Sequence, residues 1–362
     1  MTLTGSMPRR AARLLIAAVA IAHAAFFIVY QRPDWATQWT DQNGYLLLGR
    51  VLAQTGRFSR FADTPQYVPE AIRTPVYPAF VALVDVLFGE SHLAIAIAQG
   101  LLFAATCVIV HAVASTIASD AVATAAGLVV ALYPPLPYFA ALVLTETLTA
   151  FLVTAGLALW LRALARDSTA LHLAAGVALA AAALTRPTFA LLPLFLVGAA
   201  LLASRAPRRA VWRGSGVLLA AFASVIAPWL VYNAVYFKAL TFSPAGGPGR
   251  QLFEGAWQVA FPGRVESELT SLADAVPDRA QLDAQVREVA ARSQLPAEPM
   301  LRYVHQHQDI ALIWTTPTDP WERMLARIAA DHEYWRVAVE NIRRDPVRHV
   351  WRRAIRGTFL MW

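Results

Sequence analysis

Residues 11–42 read AARLLIAAVAIAHAAFFIVYQRPDWATQWTDQ. From Ala11 to Tyr30 the only charge is Arg13, near the start. A helix rising 1.5 Å per residue over that length crosses a hydrocarbon core of about 30 Å. The run is longer than the h-region of a cleaved signal peptide, about 7–15 residues, so an uncleaved span is expected. The chain then leaves the membrane, and Asp41 opens a short amphipathic segment just outside it.

Composition agrees with a polytopic membrane protein. Of 362 residues, 57% are hydrophobic and 15% charged, against about 25% charged in soluble domains. The pI near 9.9 comes from arginine, Lys238 being the single lysine, and needs no nucleic-acid partner. Cys107 is the only cysteine, which excludes an intrachain disulfide and a cysteine-based metal cluster.

A hydropathy window of about nineteen residues gives seven spans. They run approximately Ala11–Tyr30, Leu93–Thr116, Ala121–Phe139, Leu142–Leu164, Leu171–Leu184, Thr188–Ala203 and Gly216–Tyr236. The fifth and sixth are short and meet at Arg186 and Pro187; one long broken helix is the alternative. Arginine placement favours seven. Arg9, Arg10 and Arg13, then Arg162 and Arg166, then Arg205, Arg208, Arg209 and Arg213 all fall on one side, as cytoplasmic loops should. The N-terminus is then cytoplasmic, and the loop 31–92 and the chain after about Tyr236 face outward.

The first outer loop is expected to hold two helices that do not cross. Tyr45–Thr55 suits a helix lying in the interface, and Val76–Phe88, with Asp85 inside it and Gly89 after it, suits a re-entrant or juxtamembrane helix. Glu146, expected one turn inside the fourth span, and Arg186, interrupting ALTRPTF, are ionised groups at depths where a cavity or a partner is required. A shared polar cavity on the side of Asp41 is expected; direct pairing as structural ions is the alternative.

Five blocks, WTDQNGYLLLGRVLAQTG, RTPVYPAFVALVDVLFG, ALYPPLPYFAALVLTETL, AALTRPTFALLP and IAPWLVYNAVYFKAL, together resemble successive segments of the GT-C glycosyltransferases. The nearest branch is that of the bacterial protein-mannosyltransferase and aminoarabinose-transferase-like enzymes. IRRDPVRHVWRRAIRGTFLMW is similar to the amphipathic stretch those enzymes carry before their next membrane helix. The resemblance implies an all-α polytopic membrane protein, a GT-C-type helical bundle of about seven transmembrane helices. Its core would occupy residues 1–240, and an outer-face helical segment residues 241–362. The chain stops where relatives continue with further spans, so a fragment or shortened product is expected.

The resemblance also implies a chemistry. Such enzymes pass a sugar from a polyprenyl-phosphate carrier to a hydroxyl acceptor of the envelope, at the outer face of the cytoplasmic membrane. Asp41 matches the acidic residue after the first span and would be the general base. The phosphate leaving group calls for positive charge, which arginine supplies in a bidentate fork. Arg73 matches the basic residue at the end of the first loop and is the first choice, followed by Arg186 and by Arg250 after the flexible stretch SPAGGPG. Glu146, Tyr45, Tyr77 and Asn233 complete the expected substrate-binding set, although aromatic residues near span ends more often form the interfacial belt.

Other features carry less. GGPG lacks the nucleotide-loop pattern, though its glycines could form an anion nest. His305 and His307 in YVHQHQD have no matching carboxylate spacing and read as solvated surface residues. DHEY at 331–334 is not a zinc-protease motif. Glu70 and Asp63 could assist a divalent cation near Asp41, a question left open; no resident cofactor or metal ligand set is assigned. Two other classes remain. A truncated or degenerate non-catalytic relative predicts that Asp41 is dispensable. A transporter or flippase should show paired broken segments in inverted repeats, and none is found.

Overall fold

The computed structural model describes residues 7–32, 40–203 and 207–353. Among these the regular structure is helical, with no strand. Contacts divide the chain into two compact units, one of residues 1–70 and 74–242, the other of residues 71–73 and 243–362.

The first unit contains α1 (Arg9–Gln31), α2 (Thr40–Thr55), α3 (Val76–Phe88), α4 (His92–Ala114) and α5 (Asp120–Leu132). It continues with α6 (Pro135–Ala140), α7 (Glu146–Arg166), α8 (Thr169–Ala183), α9 (Leu192–Ala203) and α10 (Arg208–Phe237). Local chemistry sets many of these boundaries. Ser91, Ser119 and Ser168 cap α4, α5 and α8, each hydroxyl accepting from a backbone amide of the first turn, which satisfies a donor the helix leaves open. Asp167, left-handed at φ 46°, turns the chain between α7 and α8. A linker of two residues forces that pair to run antiparallel.

Four helices are each long and apolar enough to cross a membrane: α1, α4, α7 and α10. The remaining three expected spans are shorter or interrupted. The span at 121–139 is divided at Tyr133–Pro134 into α5 and α6, because a proline there has no amide to continue the helix. The span at 171–184 is α8, of 15 residues. The span at 188–203 is a 3-10 turn, Pro187–Phe189, followed by α9 of 12 residues. The protein is an all-α integral membrane protein, with further apolar helices beside its four full-length ones.

Small residues bring these helices together. Ala12, Ile16, Ala20 and Ala24 form the buried face of α1, packed with Phe103, Ala104 and Cys107 of α4. A Cβ on Gly176 of α8 would stand 2.4 Å from the Leu218 carbonyl of α10, so the two backbones touch only because there is none, as in membrane helix packing generally. The outward surface is apolar. Phe26 and Val29 of α1, Leu87 and Phe88 of α3, and Phe195 and Leu202 of α9 are exposed, which suits contact with lipid chains rather than water.

The second unit contains α11 (Pro248–Trp257), α12 (Gly263–Ala275), α13 (Arg279–Ser293), α14 (Ala297–Thr315), α15 (Pro320–Arg344) and α16 (Pro346–Val350). The prolines that punctuate this segment start helices. Pro262 and Pro296 are N-cap residues, and Pro320 and Pro346 open the first turns of α15 and α16, where a missing amide costs nothing. Its core is aromatic: Phe253, Trp257, Phe261, Tyr303 and Tyr334 pack with Leu269, Leu282 and Met300. The final residues GTFLMW lie outside the described residues, as does Trp39 of the first block.

Candidate active site

Asp41 sits exposed in the first turn of α2, a position where the helix dipole favours negative charge. The next residue fixes that turn in place. Gln42 is fully buried, and its Oε1 accepts the Val143 amide at 2.7 Å. Gln99 of α4, also fully buried, donates to the carbonyls of Ala140 at 3.1 Å and Leu142 at 2.6 Å, and accepts the Tyr77 hydroxyl at 2.9 Å. The two glutamines thus satisfy the non-helical backbone at 141–145. Such backbone is tolerated at membrane depth only when protein groups complete its hydrogen bonds.

That irregular turn corrects the expected position of Glu146. The fourth span does not start at Leu142, and Glu146 is the first residue of α7 rather than one turn inside it. Its Oε1 accepts from Arg186 Nη1 at 2.6 Å, the two side chains being 31% and 42% exposed. Direct pairing is therefore what joins these two groups. The second oxygen of Glu146 and the Thr147 hydroxyl are buried without a partner. Both residues line a pocket of about 20 Å³ with Phe103, Thr106 and Phe139, room for about one water-sized group.

Arg186 lies in a helix break that is itself anchored. The Leu184 carbonyl accepts the Val76 amide at 3.3 Å, and the Thr185 carbonyl accepts the Thr74 hydroxyl at 3.2 Å. The start of α3, the turn before α7 and the break after α8 thus meet within the first unit. Segments of three sequence blocks, TPVYP, LTET and LTRP, form one constellation, with α2 tied to it through Gln42. Arg73 immediately precedes Thr74 in the chain and falls in the second unit.

The remaining expected residues are engaged in packing. Tyr77 is fully buried, and Tyr45 stands edge-on to it at 4.9 Å between ring centroids. Asn233 is fully buried near the end of α10, where its amide donates to the Thr241 carbonyl at 2.7 Å and closes the turn that follows. Glu70 is fully buried in a bidentate pair with Arg60, at 2.8 and 2.9 Å. Among the described residues no group of three His, Cys, Asp or Glu is arranged to hold a metal ion.

Arg250 belongs to the second unit, in the first turns of α11. Burial is the largest single influence and weighs against its charge, but the bond to Glu254 at 2.8 Å and the negative charge of its neighbours together lift its pKa above the ordinary arginine value. The anion expected near the glycine stretch is a protein carboxylate, held by the first turn of α11. Asp331 accepts the amides of Gly249 and Arg250, each at 3.1 Å. A Cβ on Gly249 would lie 1.9 Å from the Asp331 carbonyl oxygen, so only glycine permits this approach. His307 differs from the expected surface histidine. It is buried, with Nε2 bonded to Asp274 at 2.8 Å and Nδ1 to the Tyr334 hydroxyl at 2.9 Å. Its neighbour in the motif, His305, bonds Asp283 at 2.6 Å.

Sequence reasoning missed Gln42 and Gln99. The available signal was a glutamine inside an apolar run, as in LAIAIAQGLLF, where an unsatisfied amide would be costly.

Residues 72–232 match the family model described as Dolichyl-phosphate-mannose-protein mannosyltransferase. The match takes in Arg73, Tyr77, Glu146 and Arg186, and begins after Asp41. No curated protein and no solved structure matches the chain. Over residues 72–232, where the three blocks of the constellation fall, this membrane protein is similar to a family of the GT-C glycosyltransferase superfamily.

Proposed function

We propose that the protein transfers a sugar from a polyprenyl-phosphate carrier to a hydroxyl acceptor of the cell envelope, with Asp41 as general base. The reaction would run at the outer face of the cytoplasmic membrane, the N-terminus lying on the cytoplasmic side. The carrying observation is the constellation at the start of α7. Segments far apart in sequence converge there, inside the family-matched stretch, and Gln42 ties the turn bearing Asp41 to them.

The chemistry follows from the groups available. A carboxylate at a helix N-terminus, exposed to an incoming acceptor, can take the hydroxyl proton as the oxygen attacks the anomeric carbon. The departing group is a phosphate and needs cationic stabilisation rather than a proton. Arg73 is assigned to the carrier phosphate, with Arg186 oriented by Glu146. Arg250, already paired with Glu254, is the last of the three assignments. Residues 1–240 would be the catalytic membrane core, and residues 241–362 an outer-face segment.

A second reading is a non-catalytic relative. It is favoured by the packing roles of Tyr45, Tyr77 and Asn233 and by the mutual neutralisation of Glu146 and Arg186. One experiment separates the two: sugar transfer by purified membranes, from a panel of radiolabelled polyprenyl-phosphate sugars, with wild type beside Asp41→Asn. The expected result is a fall of about 10²–10⁴-fold in the variant, the size of a general-base contribution, with carrier binding retained. Equal transfer by both proteins would remove Asp41 from the mechanism, and no transfer by wild type from any donor would favour the non-catalytic relative.

A further inference from the structure

The second unit contains a cavity of about 500 Å³ between α11, α12, α14 and α15, within the range of small-molecule sites. Its wall is rich in charge, yet the charges are balanced. Arg250 pairs with Glu254, Arg279 with Asp309, and Asp274 with His307. Asp331 spends its carboxylate on the two amides of α11. Arg327 lies 4.1 Å over the Trp314 ring. Three arginines (250, 279 and 327) and two carboxylates (274 and 331) line the cavity, and Glu254 and Asp309 beside it neutralise two of the arginines, so the wall offers no field of one sign to attract an ion.

What it offers is a set of fixed, planar, hydrogen-bonding groups beside aromatic surface. Guanidinium and carboxylate groups present coplanar pairs of donors or acceptors, a geometry that matches adjacent hydroxyls on a ring. Trp314, half-buried in the wall with Arg327 over one side of its ring, supplies a rigid, largely apolar surface with few rotatable bonds. The wall is also preorganised. Tyr334, His307 and Asp274 form a continuous hydrogen-bonded chain, and Gln308 is held by the carbonyls of Ala273 and Val276 at 3.3 and 2.7 Å. Groups held in this way lose little freedom when a ligand binds.

We infer that this cavity is a binding site for a neutral saccharide. Binding of this kind needs no transfer chemistry and so stands apart from the role proposed for Asp41. The whole protein in detergent would be applied to an array of neutral hexose and hexosamine oligosaccharides, with matched carboxylated and phosphorylated versions. Four forms would be compared: wild type, Asp41→Asn, Ala311→Trp and Arg327→Ala. Ala311 is half-buried in the cavity wall, and tryptophan there fills the space without removing a polar contact. Arg327→Ala provides an independent test should the larger side chain disturb folding. Wild type and Asp41→Asn are expected to retain the same neutral glycans, and both cavity variants to bind them at least about tenfold more weakly, a loss of about 1.4 kcal/mol. The inference is overturned by any of three results: wild type retains no neutral glycan, both cavity variants bind as wild type does, or retention is confined to anionic glycans and fades with salt.

Discussion

Replacing Gln99 by leucine would keep α4 apolar and remove three hydrogen bonds at once, those to Tyr77, Ala140 and Leu142. Each stranded polar group costs about 1–3 kcal/mol when buried. The variant is therefore expected to insert normally but to unfold at a clearly lower temperature in detergent, and an unchanged midpoint would show that the turn at 141–145 finds other partners. Glu146→Gln tests a different role. Its pair with Arg186 is partly exposed, so stability should change by no more than about 1 kcal/mol, whereas the KM for the lipid-linked donor is expected to rise as Arg186 loses its orientation. The pairing of Glu146 with Arg186 was open to the sequence as an alternative because a charge in an apolar context is conspicuous. The roles of Gln42 and Gln99 were not legible, because their partners lie 101 and 41–43 residues away in sequence. Only the fold reveals which backbone they complete.

At the scale of elements, hydropathy located every apolar segment but misjudged continuity. The Tyr133–Pro134 break and the irregular turn before α7 both fall inside windows that average as apolar, and averaging hides a stretch whose backbone is satisfied from outside. Local chemistry was more readable: Gly89, at φ 75°, ends α3 where the sequence placed its end. The crossing of α2 and α3 was not. A Cβ on Gly49 would lie 2.3 Å from Val81 Cγ1, so the two helices touch at this point only through glycine. Gly49→Val is expected to separate them and destabilise the first unit by about 1–3 kcal/mol, as overpacking does. Val81→Ala in the same chain should restore part of the loss, and failure of that rescue, read by thermal unfolding, would relocate the crossing.

At the scale of the whole molecule, one pH dependence of stability arises in the second unit. The hydrogen bond from His307 holds the Asp274 carboxyl below its ordinary 3.8, against the opposing effect of burial. The unfolded chain then binds this proton more readily than the folded one, so stability rises with pH across the interval. The contribution is complete above about pH 4 and disappears as pH falls through the depressed folded value. Thermal unfolding followed from about pH 6 downward should show this acid loss in wild type and a flatter profile in Asp274→Asn. Burial pushes the Tyr334 hydroxyl, at the other end of the chain, well above the usual phenol range, which leaves it a hydrogen-bonding group throughout.

The buried glutamine of α4 also bears on the order of synthesis. When Gln99 leaves the ribosome, Tyr77 has already been made, while Ala140 and Leu142 have not. The partner of its carbonyl is thus available at once, and those of its amide are made some forty residues later. The helix that carries it therefore enters the bilayer with one polar group in reserve, a built-in latch that closes only when the turn leading to Glu146 arrives.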